Sequence, residues 1–257
     1  MNTKRLTVLC LLLIITTHAE TVSAQTKGLI NYVNTVNDGV PGSPRTINYA
    51  LSFSGNRSIE VPLRKSQVAG IQPVSDATFK AVVNTGSKKP FIYKDLGSKK
   101  LILSDHISVN PYLVSDTLHN FNWDITTEKM TILDYECTKA TTIFRGRKYI
   151  AWFAEAIAIP FGPWKFGGLP GLIIKVSDEE EKYKFELSGI HLKTGLDAAQ
   201  IIVPDAYSRD TPMTHHDFNR LFNTKKEQLK AKSRIVSYGT NSSSSTSFTL
   251  PERMELF

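Results

Sequence analysis

Histidines and carboxylates are the residues of this chain best suited to chemistry, and their spacing limits what they can do. His215, His216 and Asp217 adjoin, but neighbouring helical residues point about 100° apart, unlike the i, i+4 pair with which a helix grips zinc. No His-Glu-x-x-His pattern occurs anywhere, so both histidines read as solvent-facing groups at a helix start. His106, His119 and His191 lie on separate segments. A metal-assisted hydrolase or peptidase would need at least three among these, His215, Asp105 and Asp116 to meet in one pocket. Neither a Gly-x-Ser-x-Gly elbow nor a phosphate-binding glycine loop is present. The sequence therefore assigns no catalytic residue, no metal site and no cofactor.

Binding chemistry is better represented. Arg145 and Arg147 flank Gly146 at a predicted turn between strands, placing two guanidinium groups on one side if the backbone stays extended. They are candidates for an anionic ligand group, or for pairing with Asp134 and Glu155. Downstream, Trp152, Phe161, Trp164, Phe166 and Leu169 crowd around Gly162-Pro163 and Gly167-Gly168-Leu169-Pro170-Gly171. Proline without a ladder donor, and glycine with access to positive φ, make this a shaped loop rather than helix or central strand. It either packs aromatics to close the sheet or forms the lip of a ligand site. Cys137 alternates with Tyr135 and Lys139 and reads as a buried structural thiol ahead of a redox or metal role.

The elements that must carry these residues are mostly strands. Ile47–Phe53 alternates apolar and polar residues, and further β-rich runs follow at Phe91–Lys94, Lys100–Leu103, Asn120–Ile125, Met130–Leu133, Lys139–Phe144, Lys148–Phe153, Leu172–Val176 and Lys182–Ile190. Spacings of about ten residues with turn signals between favour an antiparallel meander over βαβ units. One helix is predicted over 214–233, opened by a capping box with Asp217 in place of Glu and carrying Phe218, Leu221 and Phe222 on one face. The fold expected is mainly β: one highly curved antiparallel sheet of about eight to ten strands, barrel or half-barrel and lipoprotein-carrier-like, with that C-terminal helix packed on it.

Lys4 and Arg5, an apolar run Leu6–Ile15 and Val22-Ser23-Ala24 have the form of a signal peptide with cleavage after residue 24. The run is about half the length of a membrane span, so no transmembrane anchor is expected. Residues 25–238 form the single expected domain and 239–257 a flexible, Ser-rich tail. Removing residues 1–24 changes 31 basic and 24 acidic side chains to 29 and 23, a net +6 in mixed-sign clusters, unlike the basic stripe a nucleic acid requires. Only Cys137 then remains, which rules out an intramolecular disulfide.

Asp134–Ala140, Phe144-Arg145-Gly146-Arg147, Ala151-Trp152-Phe153 and above all Gly162–Ile173 together resemble the GLPGLI family of exported Bacteroidetes proteins, over roughly residues 90–190. The naming motif, Gly168–Ile173, is complete. Ala156–Phe161, nearly all apolar, replaces the acidic or polar residues usual there. The resemblance implies export into a diderm envelope, to periplasm or cell surface, and an accessory role near an outer-membrane receptor; it implies no reaction. The expected function is an envelope binding protein whose aromatic surface holds a hydrophobic ligand or partner peptide. The alternatives are the metal-assisted hydrolase and a purely structural envelope component.

Overall fold

The computed structural model describes residues 27–38, 43–63, 76–83, 86–118, 121–239, 250 and 253–256. The expected leader, His119 and residues 240–249 of the expected tail lie outside them. Twelve strands form one sheet: β1 (Lys27–Val36), β2 (Arg45–Ser54), β3 (Arg57–Leu63), β4 (Ile92–Asp95), β5 (Lys100–Ile107), β6 (Asn110–Thr117), β7 (Asp124–Ile132), β8 (Tyr135–Phe144), β9 (Arg147–Ala154), β10 (Leu172–Asp178), β11 (Tyr183–Leu192) and β12 (Met213–Thr214). Among the described residues they are accompanied by the α-helices α1 (Asp76–Val83) and α2 (His215–Gly239) and by two short 3-10 turns at Ala198–Gln200 and Asp205–Tyr207. The strand order is β12-β6-β5-β4-β3-β2-β1-β11-β10-β9-β8-β7, and every pairing is antiparallel except β12 on β6.

The mainly β, single-sheet architecture with a C-terminal helix is the one expected, with more strands. β6 escapes the alternation rule because Ser115 and Asp116 break its apolar run and Pro111 stands near its start, where proline is tolerated. Conversely, the two strands expected over 120–125 and 130–133 are one, β7, with an irregular register between Ile125 and Lys129.

The sheet curls without closing. Flat, the eight steps from β6 to β9 would span roughly 38 Å at ~4.8 Å per strand, yet Arg145 in the β8–β9 turn meets Asp116 on β6 at 2.8 Å. The aliphatic and aromatic core follows the curl: Ile30, Tyr32, Leu51 and Phe53 pack with Phe161, Leu172 and Ile174, and Phe121, Tyr149, Phe153 and Phe185 with Phe166 and Ile173. Helix α2 lays Phe218 and Phe222 on Leu101, Leu103, Ile107 and Val114, with Leu221 partly buried beside them, as its apolar periodicity predicts. Thr214 caps it, accepting the Asp217 N–H at 3.1 Å. No helix among the described residues is long and apolar enough to cross a membrane.

Candidate functional site

The loop between β9 and β10 crosses the inside of the curl. Phe161 bridges Gly167, the Phe166 N–H returns to the Pro163 carbonyl at 3.0 Å, and Trp164 has φ +50°. Opposite strands clamp this tight turn. On β3 the buried Glu60 carboxylate accepts the Trp164 N–H at 3.0 and 3.2 Å. On β4 the buried Lys94 donates to the carbonyls of Gly162 and Phe166 at 2.7 and 2.9 Å. Because Glu60 pairs with Ile92, Lys94 is its diagonal neighbour on the same face. Burial raises the Glu60 pKa, against the pull of Lys94, and burial lowers that of Lys94. Gly171 is a steric necessity: a Cβ there would lie 2.1 Å from the Ala154 carbonyl oxygen. The motif thus reaches β10 at the closest backbone approach in its neighbourhood.

Behind Trp164 two adjoining cavities of about 260 and 210 Å³ share Leu103, Asp105, His106, Trp164 and Met254 as walls. The larger one is faced by Tyr49, Phe91, Phe185 and Glu60. Asn34 also lines it; its amide hydrogen-bonds the Tyr49 hydroxyl, while its Oδ1 is buried without a hydrogen-bond partner. Burial pushes the Tyr49 hydroxyl up to about 12, so it is a neutral phenol at physiological pH.

Where the sheet's ends approach, Asp116 (β6), Arg145 (β8–β9 turn), Lys165 (inner loop), His215 (start of α2) and Glu255 form a polar cluster. Lys165 lies 3.0 Å from Asp116 and 2.6 Å from Glu255; Arg145 lies 2.8 and 2.6 Å from the same two. His215 Nε2 meets Glu255 at 2.7 Å, while Asn219 approaches Nδ1 at 3.2 Å. Burial holds the imidazole pKa below its usual value. Its partners therefore place the proton on Nε2, donating to Glu255, with Nδ1 accepting from Asn219. Burial alone would raise the Glu255 carboxyl; the His215 hydrogen bond and then the Lys165 charge hold it down at about 2. A groove of about 760 Å³ opens over Arg145 and His215, walled by Ser115, Thr117, Asn219 and Asn223.

Asp116, His215 and Glu255 bring potential ligand atoms within 4.8 Å of one another, but two cations already occupy these carboxylates. The donor set is balanced without a metal and does not suit a dication. The convergence a hydrolase would need is not met among the described residues: Asp105 and His106 line the inner cavities, Asp116 and His215 the outer groove, and His191 sits on β11.

Several expected placements change. His215 is buried, not solvent-facing, because segment 253–256 covers it; His216 is exposed. Arg145 and Arg147 diverge, since Arg145 and Gly146 both have positive φ at a two-residue hairpin. Neither pairs with Asp134 or Glu155 in the ion pairs above; Arg147 is buried against Asp178 at 3.1 Å. Phe161, Phe166 and Leu169 are core residues, Trp152 packs partly buried with Ile30 and Tyr32, and of the aromatic set Trp164 walls the cavities. The tail expected to be flexible packs at residues 253–256: Arg253 covers the Phe218 and Phe222 rings at 4.8 and 5.0 Å and Glu255 is 4% exposed. Cys137 is buried, as its alternation predicts. Sequence reasoning passed over Glu60, Lys94, Lys165 and Glu255. The available signal was a lone charge inside an apolar strand or loop, as in Ile59-Glu60-Val61 and Trp164-Lys165-Phe166.

The chain matches no protein-family model and no curated protein. Among solved structures it is similar to PNGF-II in two space groups, each with TM-score 0.50 and 14% identity, over 79% of this chain and 34% or 33% of that one. The likeness is one of fold. This chain spans about a third of the length of PNGF-II. MucB in complex with MucA(peri) aligns at TM-score 0.35 and 8% identity, over 70% of this chain and 55% of that one.

Proposed function

We propose that the protein is an exported envelope binding protein that holds a small, mainly apolar ligand carrying one hydroxyl or amide N–H in the cavity behind Trp164. One observation carries the reading: an aromatic-walled cavity of about 260 Å³ whose lining residue Asn34 keeps a buried acceptor without a partner. An unpaired buried acceptor costs about 1–3 kcal/mol, and a ligand donor would remove that cost. The charged groups nearby do not call for an ionic ligand, because Glu60 faces Lys94 and Asp105 pairs with Arg253 at 2.5 Å. The signal-like N-terminus and the GLPGLI resemblance support the envelope setting and an accessory role beside a receptor.

Native mass spectrometry of the protein purified from its own source tests this, alongside thermal denaturation with 2-phenylethanol as probe. An organic mass released on denaturation, and a probe-induced rise in midpoint that Asn34→Leu abolishes, are expected. A ligand-free wild-type protein whose midpoint the probe leaves unchanged would refute the reading.

A further inference from the structure

The groove over Arg145 and His215 shares no wall with the cavities behind Trp164, and its chemistry is different. Helix α2 presents Asn219 and Asn223, one turn or about 6 Å apart along its axis. Strand β6 presents Ser115 and Thr117, whose side chains leave one face of the strand about 7 Å apart. None of the described lining residues is aliphatic or aromatic, so an apolar ligand finds nothing to bury against. An ionic ligand is no better served. Each carboxylate and guanidinium at the groove already has an ionic partner: Asp116 and Arg145 meet at 2.8 Å, and Arg220 meets Asp217 at 3.0 Å. The groove therefore recognises its ligand through hydroxyls and carboxamides.

Asn219 sets the direction of the hydrogen bonding. His215 gives its Nε2 proton to Glu255 at 2.7 Å, so Nδ1 accepts and draws the Asn219 amide to 3.2 Å. That fixes which end of the carboxamide is oxygen. Oδ1 is left buried without a partner, on a lining residue only 8% exposed, and a donor arriving in the groove satisfies it. We propose that this groove is a binding site for a neutral saccharide, with Asn219 Oδ1 accepting from one hydroxyl and Asn223, Ser115 and Thr117 bonding its neighbours. A sugar hydroxyl donates and accepts at once, which suits a wall that mixes both roles. An extended peptide fits less well, because its alternate side chains need pockets of their own. The volume of about 760 Å³ falls within the ~300–1,000 Å³ of small-ligand sites and has room for more than one sugar ring. This inference goes beyond the apolar-ligand reading and does not depend on it: Asn34→Leu is expected to leave saccharide binding intact.

NMR titration of the full chain tests this, with maltotriose, cellotriose, mannotriose and chitotriose as probes. At least one of them, at millimolar concentration, is expected to shift the side-chain amide signals of Asn219 and Asn223 together. Asn219→Leu should then weaken binding at least about tenfold, the scale of one buried hydrogen bond. Asn223 is exposed, so Asn223→Leu leaves the fold intact and should weaken binding as well; it carries the comparison alone if Asn219→Leu does not fold. Hexaglycine, equally neutral and polar, and trigalacturonate, an anionic sugar of the same length, are expected to leave both signals in place. The proposal is overturned if no trisaccharide moves them, or if binding survives these substitutions at full strength. It is overturned equally if hexaglycine or trigalacturonate binds as tightly as the best neutral sugar.

Discussion

Replacing Glu255 by glutamine keeps the side chain's shape and removes its charge, which isolates what the carboxylate contributes. In the folded chain its pKa is depressed from 4.5 to about 2, and each unit is worth ~1.4 kcal/mol. The ionised group therefore stabilises the docked state by roughly 3 kcal/mol. The sign follows from linkage. With the folded pKa below the unfolded one, the stabilisation is complete above pH 4.5 and is lost as pH falls toward 2. The measured loss has a ceiling, because a variant whose segment has come away unfolds from the undocked state and cannot lose more than the docking free energy. Urea denaturation of wild type and Glu255→Gln across pH 3–7 reads both quantities. The variant should be less stable at pH 7, by up to about 3 kcal/mol, and the gap should narrow steadily below pH 4.5. Equal stabilities at pH 7, or a gap of the same size at pH 3, would refute the charge-balance argument.

Two further substitutions probe the loop clamp. Lys94→Met should cost about 3–5 kcal/mol, since it strands the buried Glu60 and removes the donor to two carbonyls; chemical denaturation measures it, and a loss under about 1 kcal/mol would contradict the geometry. Glu60 acts with the opposite sign to Glu255. Its raised pKa means the folded chain keeps a proton that the unfolded chain sheds above pH 4.5, so its contribution falls as pH rises from there, and Glu60→Gln should flatten that part of the stability–pH curve. Gly171→Ala should lower the thermal midpoint sharply or prevent folding, because its Cβ meets backbone 2.1 Å away rather than a movable side chain.

Local pattern was enough to read the strands β2, β4, β5 and β8–β11, the helix with Phe218 and Phe222 facing inward, and the glycine-proline loop leading into β10. Each of these is dictated by periodicity within a few residues, or by what glycine and proline cannot do. The curl that brings β6 to the β8–β9 turn, the diagonal of Glu60 and Lys94, and the seat of Glu255 were decided only by tertiary structure. Glu60 and Lys94 stand 34 positions apart, and Asp116 and Glu255 139 apart; nothing local distinguishes a charge bound for such a partner from one bound for water. The same holds for His215, whose neighbours predict an exposed helix start and whose burial comes from Glu255, 40 residues further along, and Arg145, 70 residues back. Alternation and turn chemistry are properties of the local backbone, whereas burial of a charge is a property of whatever the sheet's curl carries against it.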